Sequence, residues 1–250
     1  MNNDQTKNIS HKLGLIGFHQ NIEARSAQAV ANNLHPNEYL QLLLEDEVIY
    51  RKNRFAKSLL ARAKFRNICE LEEWDQTFDR GLSKQKMKEL GTLSFFHNKE
   101  NLLILGRTGE GKTHLAVALG RRLCAEGNSS VFLPVNFLFE EILAAKAAGK
   151  YLGYLKKLCQ TKTLVLDDFG LRSYSHDEAN TLVDLLEERS RKGPVIVTSQ
   201  VDPKGWGKLF EDPVIAEAIV DRLINPSQKI TLKGGSYRER LGQNSKTRNN

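Results

Sequence analysis

Residues 106–113 read Gly-Arg-Thr-Gly-Glu-Gly-Lys-Thr and satisfy the pattern GxxxxGK[ST] at every fixed position. An apolar run, 102–105, precedes them and an amphipathic stretch, 112–126, follows. No other feature limits the fold so strongly, because such a loop must join a buried strand to a helix N-terminus. Gly106 and Gly111 let the backbone curl until its N–H groups face phosphate oxygens. Arg107, Thr108, Gly109 and Glu110 complete the cradle, and the helix opening near Lys112 adds the positive end of its dipole. Lys112 can reach the β- and γ-phosphates of a nucleotide, and the Thr113 hydroxyl can ligate Mg²⁺.

The sequence around this loop predicts an α/β fold. After residue 100, short apolar runs (102–105, 131–134, 163–167, 194–198 and 229–232) alternate with helical stretches (112–126, 136–148, 176–191 and 213–223). That alternation implies a parallel sheet covered on both faces. Ahead of it, residues 13–66 read as helices. Leu40, Leu43, Leu44, Val48, Phe55 and Leu59 recur at helical spacings, and Pro36 suits a first turn. With Gly81 and Gly91 as breakers, the expected division is a helical N-terminal domain at 1–80, a nucleotide-binding domain at 81–236 and a basic polar tail at 237–250 that frays.

Composition excludes more than it identifies. The first dozen residues lack the apolar stretch of a secretory signal, and no run approaches the ~20 residues that span a bilayer. The three cysteines, Cys69, Cys124 and Cys159, are scattered, which argues against a disulfide framework or a structural zinc site. Buried thiols in a reducing cytoplasm are the expectation. The formal charge of +7 is a faint sign of a polyanionic partner.

Two further strand ends carry polar groups. Residues 164–168 end in Asp167 and Asp168, about 50 residues after the loop. Asp167 is placed to hold Mg²⁺, and Asp168 to polarise an attacking water as general base. Residues 195–200 end in Thr198, Ser199 and Gln200, which could bond the γ-phosphate or that water. Ligands of open parallel sheets sit outside the carboxyl ends of the strands, and all three motifs lie there.

With these residues in place, the chain resembles the IstB family, AAA+ ATPases that assist insertion-sequence transposases and are related to DnaC-type helicase loaders. The resemblance covers nearly the whole chain. It rests on LLLEDE (42–47), AKFRNICELEEWD (63–75), the phosphate loop, LVLDDFG (164–170), TSQ (198–200), DPVIAEAIVDRL (212–223) and ITLKGGSYR (230–238). It implies an AAA+ domain with a five-stranded parallel sheet, an ATP- and Mg²⁺-dependent ATPase, and a homo-oligomer with nucleotide between subunits. Gln200 then stands at the sensor-1 position, Arg222 at the arginine finger acting on a neighbour's ATP, and Arg238 at a sensor-2-like position. The Asp-Asp pair replaces the Asp-Glu of many AAA+ proteins. An Asp base reaches one methylene less far, so hydrolysis is expected to be slow and stimulated by DNA or a partner.

The implied partners are double-stranded DNA and the transposase of the same element, with no membrane. Residues 51–66 hold seven basic groups and no acid, a candidate phosphate-contacting surface. On a helix, Arg54, Lys57 and Lys64 would share an arc of about 80°. The alternative is that these charges pair with the acidic run that follows, Glu70, Glu72, Glu73, Asp75 and Asp79. Lys146, Lys150, Lys156, Lys157 and Lys162 form a second candidate surface. No base-reading motif is present, so any DNA binding should be largely sequence-independent. The rival functions are a helicase loader with the same motor and a module in which ATP is only an assembly ligand.

Overall fold

The computed structural model describes residues 3–237 together with Glu239 and Arg240. Arg238 and residues 241–250 lie outside the described residues. Contacts divide the chain into two units, Met1–Ser58 and Leu59–Asn250.

The first unit is helical, as expected. It contains α1 (Asn3–Lys12), α2 (Ile16–Ala31) and the greater part of α3 (Pro36–Arg62), whose end runs into the second unit. Its helices are joined by polar contacts as much as by apolar ones. Gly17 sits where α2 meets α3, and a Cβ there would lie 2.5 Å from Tyr50 Cβ and 2.6 Å from the Asp46 carbonyl. Asp46 and Glu47 are both buried. Arg25 donates to the two Asp46 oxygens at 2.7 and 2.8 Å. That guanidinium holds the Asp46 carboxyl below the ordinary Asp range. Glu47 accepts from the Gly17 and Phe18 N–H groups at 2.7 and 3.2 Å, a carboxylate at the positive end of α2. The spacing of Leu40, Leu44, Val48 and Phe55 marks the helix correctly, but all four side chains are exposed, and of that series only Leu43 and Leu59 are buried.

The second unit is built on β1 (Asn101–Leu105), β2 (Ser130–Pro134), β3 (Thr163–Phe169), β4 (Val195–Ser199) and β5 (Ser227–Thr231). All pairings are parallel, in the order β2-β3-β4-β1-β5. The central strands are buried on both faces, which is why they read as continuous apolar runs rather than alternating ones. Leu103, Leu105, Leu164, Leu166 and Val197 face one core, with α7 (Val135–Ala147), α8 (Tyr151–Gln160), α9 (His176–Ser190) and α10 (Pro213–Ile224). Leu102, Ile104, Val165 and Ile196 face the other, with α4 (Lys84–Gly91), α5 (Ser94–His97) and α6 (Lys112–Ala125). The segment 149–162, given no element from sequence, carries a helix, α8, whose covered residues Tyr151, Tyr154, Leu155, Leu158 and Cys159 do recur at helical spacing, while Leu152 is exposed.

Residues 59–80, grouped from sequence with the helical domain, pack instead within the second unit. The Ala63 carbonyl accepts the Phe132 N–H at 2.8 Å on the open edge of β2. The Phe65 ring lies where a Cβ on Gly120 of α6 would be, 2.7 Å from its Cζ. Helix α3 stops at Arg62, and Lys64 has φ +60°, so Lys64 leaves the arc that a continuous helix would give it. The three cysteines are buried free thiols. Among the described residues no helix is long and apolar enough to cross a membrane.

One buried cation ties the lower edge of the sheet. Arg189 of α9 is 1% exposed and donates to the carbonyls of Leu158 at 2.8 Å, Thr161 at 2.9 Å and Pro194 at 3.1 Å. Burial pushes its pKa down to about 10, so it stays charged at pH 7. It joins the end of α8 to the approaches of β3 and β4. Arg189→Met fills similar volume but strands those carbonyls, at about 1–3 kcal/mol for each one left unsatisfied. The expected result is a clear fall in the urea midpoint at unchanged m-value; an unchanged midpoint would remove this role.

Candidate functional site

The sheet order puts β4 between β1 and β3, so the three polar strand ends lie side by side. The loop after β1 begins at Gly106, whose N–H donates to the Ser199 carbonyl of β4 at 3.2 Å. Gly106, Gly109 and Gly111 have φ of +153°, +87° and +99°, a backbone that side chains rarely adopt. Gly111 is the N-cap of α6, so the loop opens directly into that helix.

Within the loop the side chains take different parts. Lys112 is 5% exposed, and its Nζ donates to the Arg107 carbonyl at 2.9 Å, across the cradle. Thr108 donates to Gln200 Oε1 at 2.9 Å, joining loop to β4. Glu110, expected among the nucleotide-binding residues, is turned inward. Its carboxylate is buried and accepts the Arg107 N–H at 2.6 Å. It lies so close to Gly106 that a Cβ there would collide with it. A Cβ at Gly106 would also lie 3.1 Å from Leu232 Cβ and 3.2 Å from the Leu232 carbonyl, so the space beside the loop is closed from two sides.

Asp167 is 4% exposed and accepts three hydrogen bonds. Thr113 donates to its two oxygens at 3.0 and 3.2 Å, and Thr198 donates to Oδ1 at 2.6 Å. Burial pushes the Asp167 carboxyl above the ordinary Asp range, and the Asp168 charge adds to that; the Thr198 and Thr113 hydroxyls and the Lys112 ammonium act against it. Asp168 sits at φ +59°, where an Asp is tolerated at some cost, and its N–H donates to the Thr198 hydroxyl at 2.9 Å. One threonine thus fixes both acids. Thr198 and Ser199, read from sequence as groups for phosphate or water, are fully buried. Ser199 donates to the Phe169 carbonyl at 2.7 Å. Of the TSQ run, Gln200 alone is exposed at the strand end.

These groups border a cleft of about 340 Å³ lined by Thr108, Gly109, Gly111, Lys112, Thr113, Asp168 and Gln200. Its remaining wall comes from residues to which the sequence assigned no role in the site: Asn67, Cys69, Glu73, Arg80, His114, Val117 and Tyr237. The start of the segment expected to fray also packs here. The Tyr237 N–H donates to the Gly109 carbonyl at 3.0 Å, and Arg240 pairs with Asp75 at 3.4 Å. A composition shift marks this segment as polar, and only the fold shows what it covers.

Arg222 stands elsewhere. It lies on α10, donating to the Ala218 carbonyl at 2.9 Å and to Glu187 at 2.9 Å. Its own carbonyl accepts from Asn101 at the first residue of β1, whereas the phosphate loop follows the last. Arg222 is therefore at the opposite end of β1 from the phosphate loop of its own subunit.

The basic run is divided by what each residue touches. Arg51 pairs with Glu47 at 2.6 Å, Lys64 with Glu141 at 2.6 Å, and Arg66 lies over the Phe137 ring at 4.4 Å. Lys52, Arg54 and Lys57 are exposed on α3. The acidic run turns to other partners: Glu70 to Arg121, Glu72 to Arg122, and Asp75 to Arg240. Of the second surface, Lys146 faces Asp177 and Lys162 faces Asn128, while Lys150, Lys156 and Lys157 are exposed.

Thr198→Val tests the joint hold on the two acids. The change keeps the shape, removes a donor to Asp167 and an acceptor for the Asp168 N–H, and leaves buried groups unsatisfied at about 1–3 kcal/mol. A lower melting temperature is expected. Unchanged melting would show that the two acids are held by other contacts.

Comparison with known proteins agrees with this geometry. A family model described as "IstB-like ATP binding protein" matches residues 8–246. A Pseudomonas aeruginosa protein, named for insertion sequence IS21 and ATP binding, is 34% identical over 91% of this chain and 85% of its own. A Mycobacterium tuberculosis protein, named for ATP binding in an insertion sequence, is 32% identical over 94% of each chain. Among solved structures, DnaI superposes with a TM-score of 0.57 at 22% identity, covering 66% of this chain and 91% of that one. The DnaC helicase loader gives 0.55 at 21%, covering 66% and 97%. AMPPCP-bound DnaA from Aquifex aeolicus gives 0.55 at 18%, covering 66% and 49%. The second unit has the AAA+ fold, and the chain belongs to the family of IstB-like ATP-binding proteins associated with insertion sequences.

Proposed function

We propose that the chain is an ATP-hydrolysing helper of an insertion element, which assembles on double-stranded DNA as an ATP-bound oligomer and recruits or stimulates the transposase in the cytoplasm. The observation that carries this reading is the convergence of Lys112, Thr113, Asp168 and Gln200 on one cleft, with Asp167 bonded to Thr113 behind its wall, in a chain of this family.

The α6 N-terminus and the loop N–H groups would bind phosphate oxygens, with Lys112 exchanging the Arg107 carbonyl for the β- and γ-phosphates. Thr113 and Asp167 fit a divalent cation: both offer hard oxygen donors, 3.0 Å apart, and burial beside the Asp168 charge favours a cation at that carboxylate. Bound there, Mg²⁺ would neutralise charge building on the phosphates. Asp168 borders the cleft and would accept the proton of the water that attacks the γ-phosphorus as the bond to the bridging oxygen breaks. Gln200 would orient that water. Arg222 of a neighbouring subunit would stabilise the transferring group, leaving Glu187 to do so. Such an arrangement links hydrolysis to assembly, as a switch requires.

Lys112→Ala should abolish ATP binding by the purified protein. Arg222→Ala should bind ATP normally as a monomer yet lose hydrolysis in the assembled state; full activity in that variant would sink the assignment in trans. Affinity purification tests the partner, with transposase expected and a replicative helicase pointing to a loader of the DnaC type.

DNA binding is assigned to Lys52, Arg54 and Lys57. Affinity should be nearly equal for unrelated duplexes. When the three are replaced by alanine, the slope of log affinity against log salt should flatten by about 0.9 for each phosphate they had neutralised. A slope unchanged by the triple substitution would move the DNA surface to Lys150, Lys156 and Lys157.

A further inference from the structure

Arg80 has no role in the readings above, yet its setting is unusual. It is 3% exposed in a loop ahead of α4, and it borders the nucleotide cleft. Its guanidinium carbon lies 3.4 Å from the centroid of the Trp74 ring and 4.6 Å from that of Tyr237. Its one direct acceptor among the described residues is the Asp75 main-chain carbonyl, at 3.2 Å from Nη2. The Asp75 carboxylate is engaged by Thr77 and Arg240. The Arg80 Nε is buried without a partner among the described residues. Burial is the largest influence on the group and pulls its pKa down, as for a cation whose lost hydration is not replaced.

A charge this deeply buried is costly unless it is paired. Two aromatic faces offset only part of that cost. The position of the guanidinium indicates the missing partner. Its Nη1 would lie 2.9 Å from a Cβ on Gly111, the N-cap residue at which α6 opens. It meets the loop there rather than at Asp168 or Gln200, where the terminal phosphate would be handled. Tyr237, held on the Gly109 carbonyl, closes the far side.

We propose that Arg80 is a ligand of the nucleotide's α,β-diphosphate, supplied in cis by the segment that precedes the AAA+ core. A planar guanidinium offers a fork of donors suited to phosphate oxygens, and the stack on Trp74 holds its plane ready. The same stack links nucleotide binding to Trp74 and Tyr237, and so to both segments that flank the core sequence. The inference rests on the nucleotide reading of the cleft and is independent of DNA and transposase.

The test is calorimetric titration of the full chain with ATP and with ADP, with adenosine as a competitor, in wild type, Arg80→Met and Arg80→Lys. Methionine keeps the stem against Trp74 and removes the charge. The expected result is a loss of at least tenfold in affinity, by the same factor for ATP and ADP, with adenosine competition unchanged. Lysine should recover part of the loss. Without nucleotide, Arg80→Met should melt no lower than wild type, because an uncompensated buried charge has gone, while its stabilisation by ADP shrinks. A purely structural role predicts the opposite pair: lower melting without nucleotide and wild-type ADP affinity in the folded fraction. That result overturns the proposal, as does a loss confined to ATP. Wild type that binds neither nucleotide would instead reject the cleft reading itself.

Discussion

A buried carboxylate at the end of β3 is the point on which the nucleotide-binding unit converges. Asp167 has lost its water and must be given donors, and the fold gives it two: Thr113 from the start of α6 and Thr198 from the end of β4. Both reach it because β4 lies between β1 and β3. A different strand order would leave the acid either exposed or unpaired. The same threonine accepts the N–H of Asp168, whose left-handed backbone would otherwise be a local strain without compensation. The two adjacent acids are thereby separated in character. Asp167 is enclosed and saturated by hydroxyl donors, and Asp168 borders the open cleft. An identical pair of residues thus acquires two environments, and the proposed function uses that difference, giving the enclosed acid a cation to hold and the open one a proton to accept.

How much of this is legible in the sequence depends on how local the physics is. The phosphate loop announces itself because backbone curl, helix opening and lysine reach all act within eight residues. The strands are legible because burial on both faces leaves unbroken apolar runs. Thr198 appears in the sequence as a polar strand end, but its partners lie thirty-one and thirty residues away, so its structural task is hidden. Glu110 misleads for the opposite reason: it lies within the motif, yet its carboxylate braces the loop from behind. Arg80 carries no signal, since nothing nearby in sequence says that Trp74 and Tyr237 will enclose it. The apolar series on α3 gives the helix but not its burial, because periodicity reports a face and not what covers it.

Charge shows the same limit. A run of seven bases suggests one surface, but a surface is made by what each side chain finds within reach. Arg51 is taken by the carboxylate that also opens α2, and Lys64 is turned out of the helix by its positive φ and taken by Glu141. In the acidic run that follows, Glu70, Glu72 and Asp75 brace the segment 70–75 against Arg121, Arg122 and Arg240, the segment whose Trp74 stacks on Arg80. Those three acids therefore brace the wall of the cleft, while Lys52, Arg54 and Lys57 of α3 are exposed.

The hydrogen bonds around the cleft also bear on how a nucleotide could change the protein. Lys112 on the Arg107 carbonyl, Thr108 on Gln200 and Thr113 on Asp167 are each satisfied within the chain. Exchanging such a bond for one to a phosphate oxygen gains little in count, since one acceptor replaces another. The net gain must then come from charge: from the ammonium, from the α6 terminus and, under the proposal above, from a guanidinium whose one direct acceptor among the described residues is a neutral carbonyl. Those three groups differ in what they can report. The ammonium and the helix end belong to the phosphate loop and α6, whereas Arg80 is carried by a loop ahead of α4 and lies between Trp74 and Tyr237. A phosphate drawn to that guanidinium would pull on both flanking segments at once. Tyr237 is also tied to the Gly109 carbonyl, so that pull would act on the phosphate loop from both sides and carry binding in the cleft to surfaces outside it.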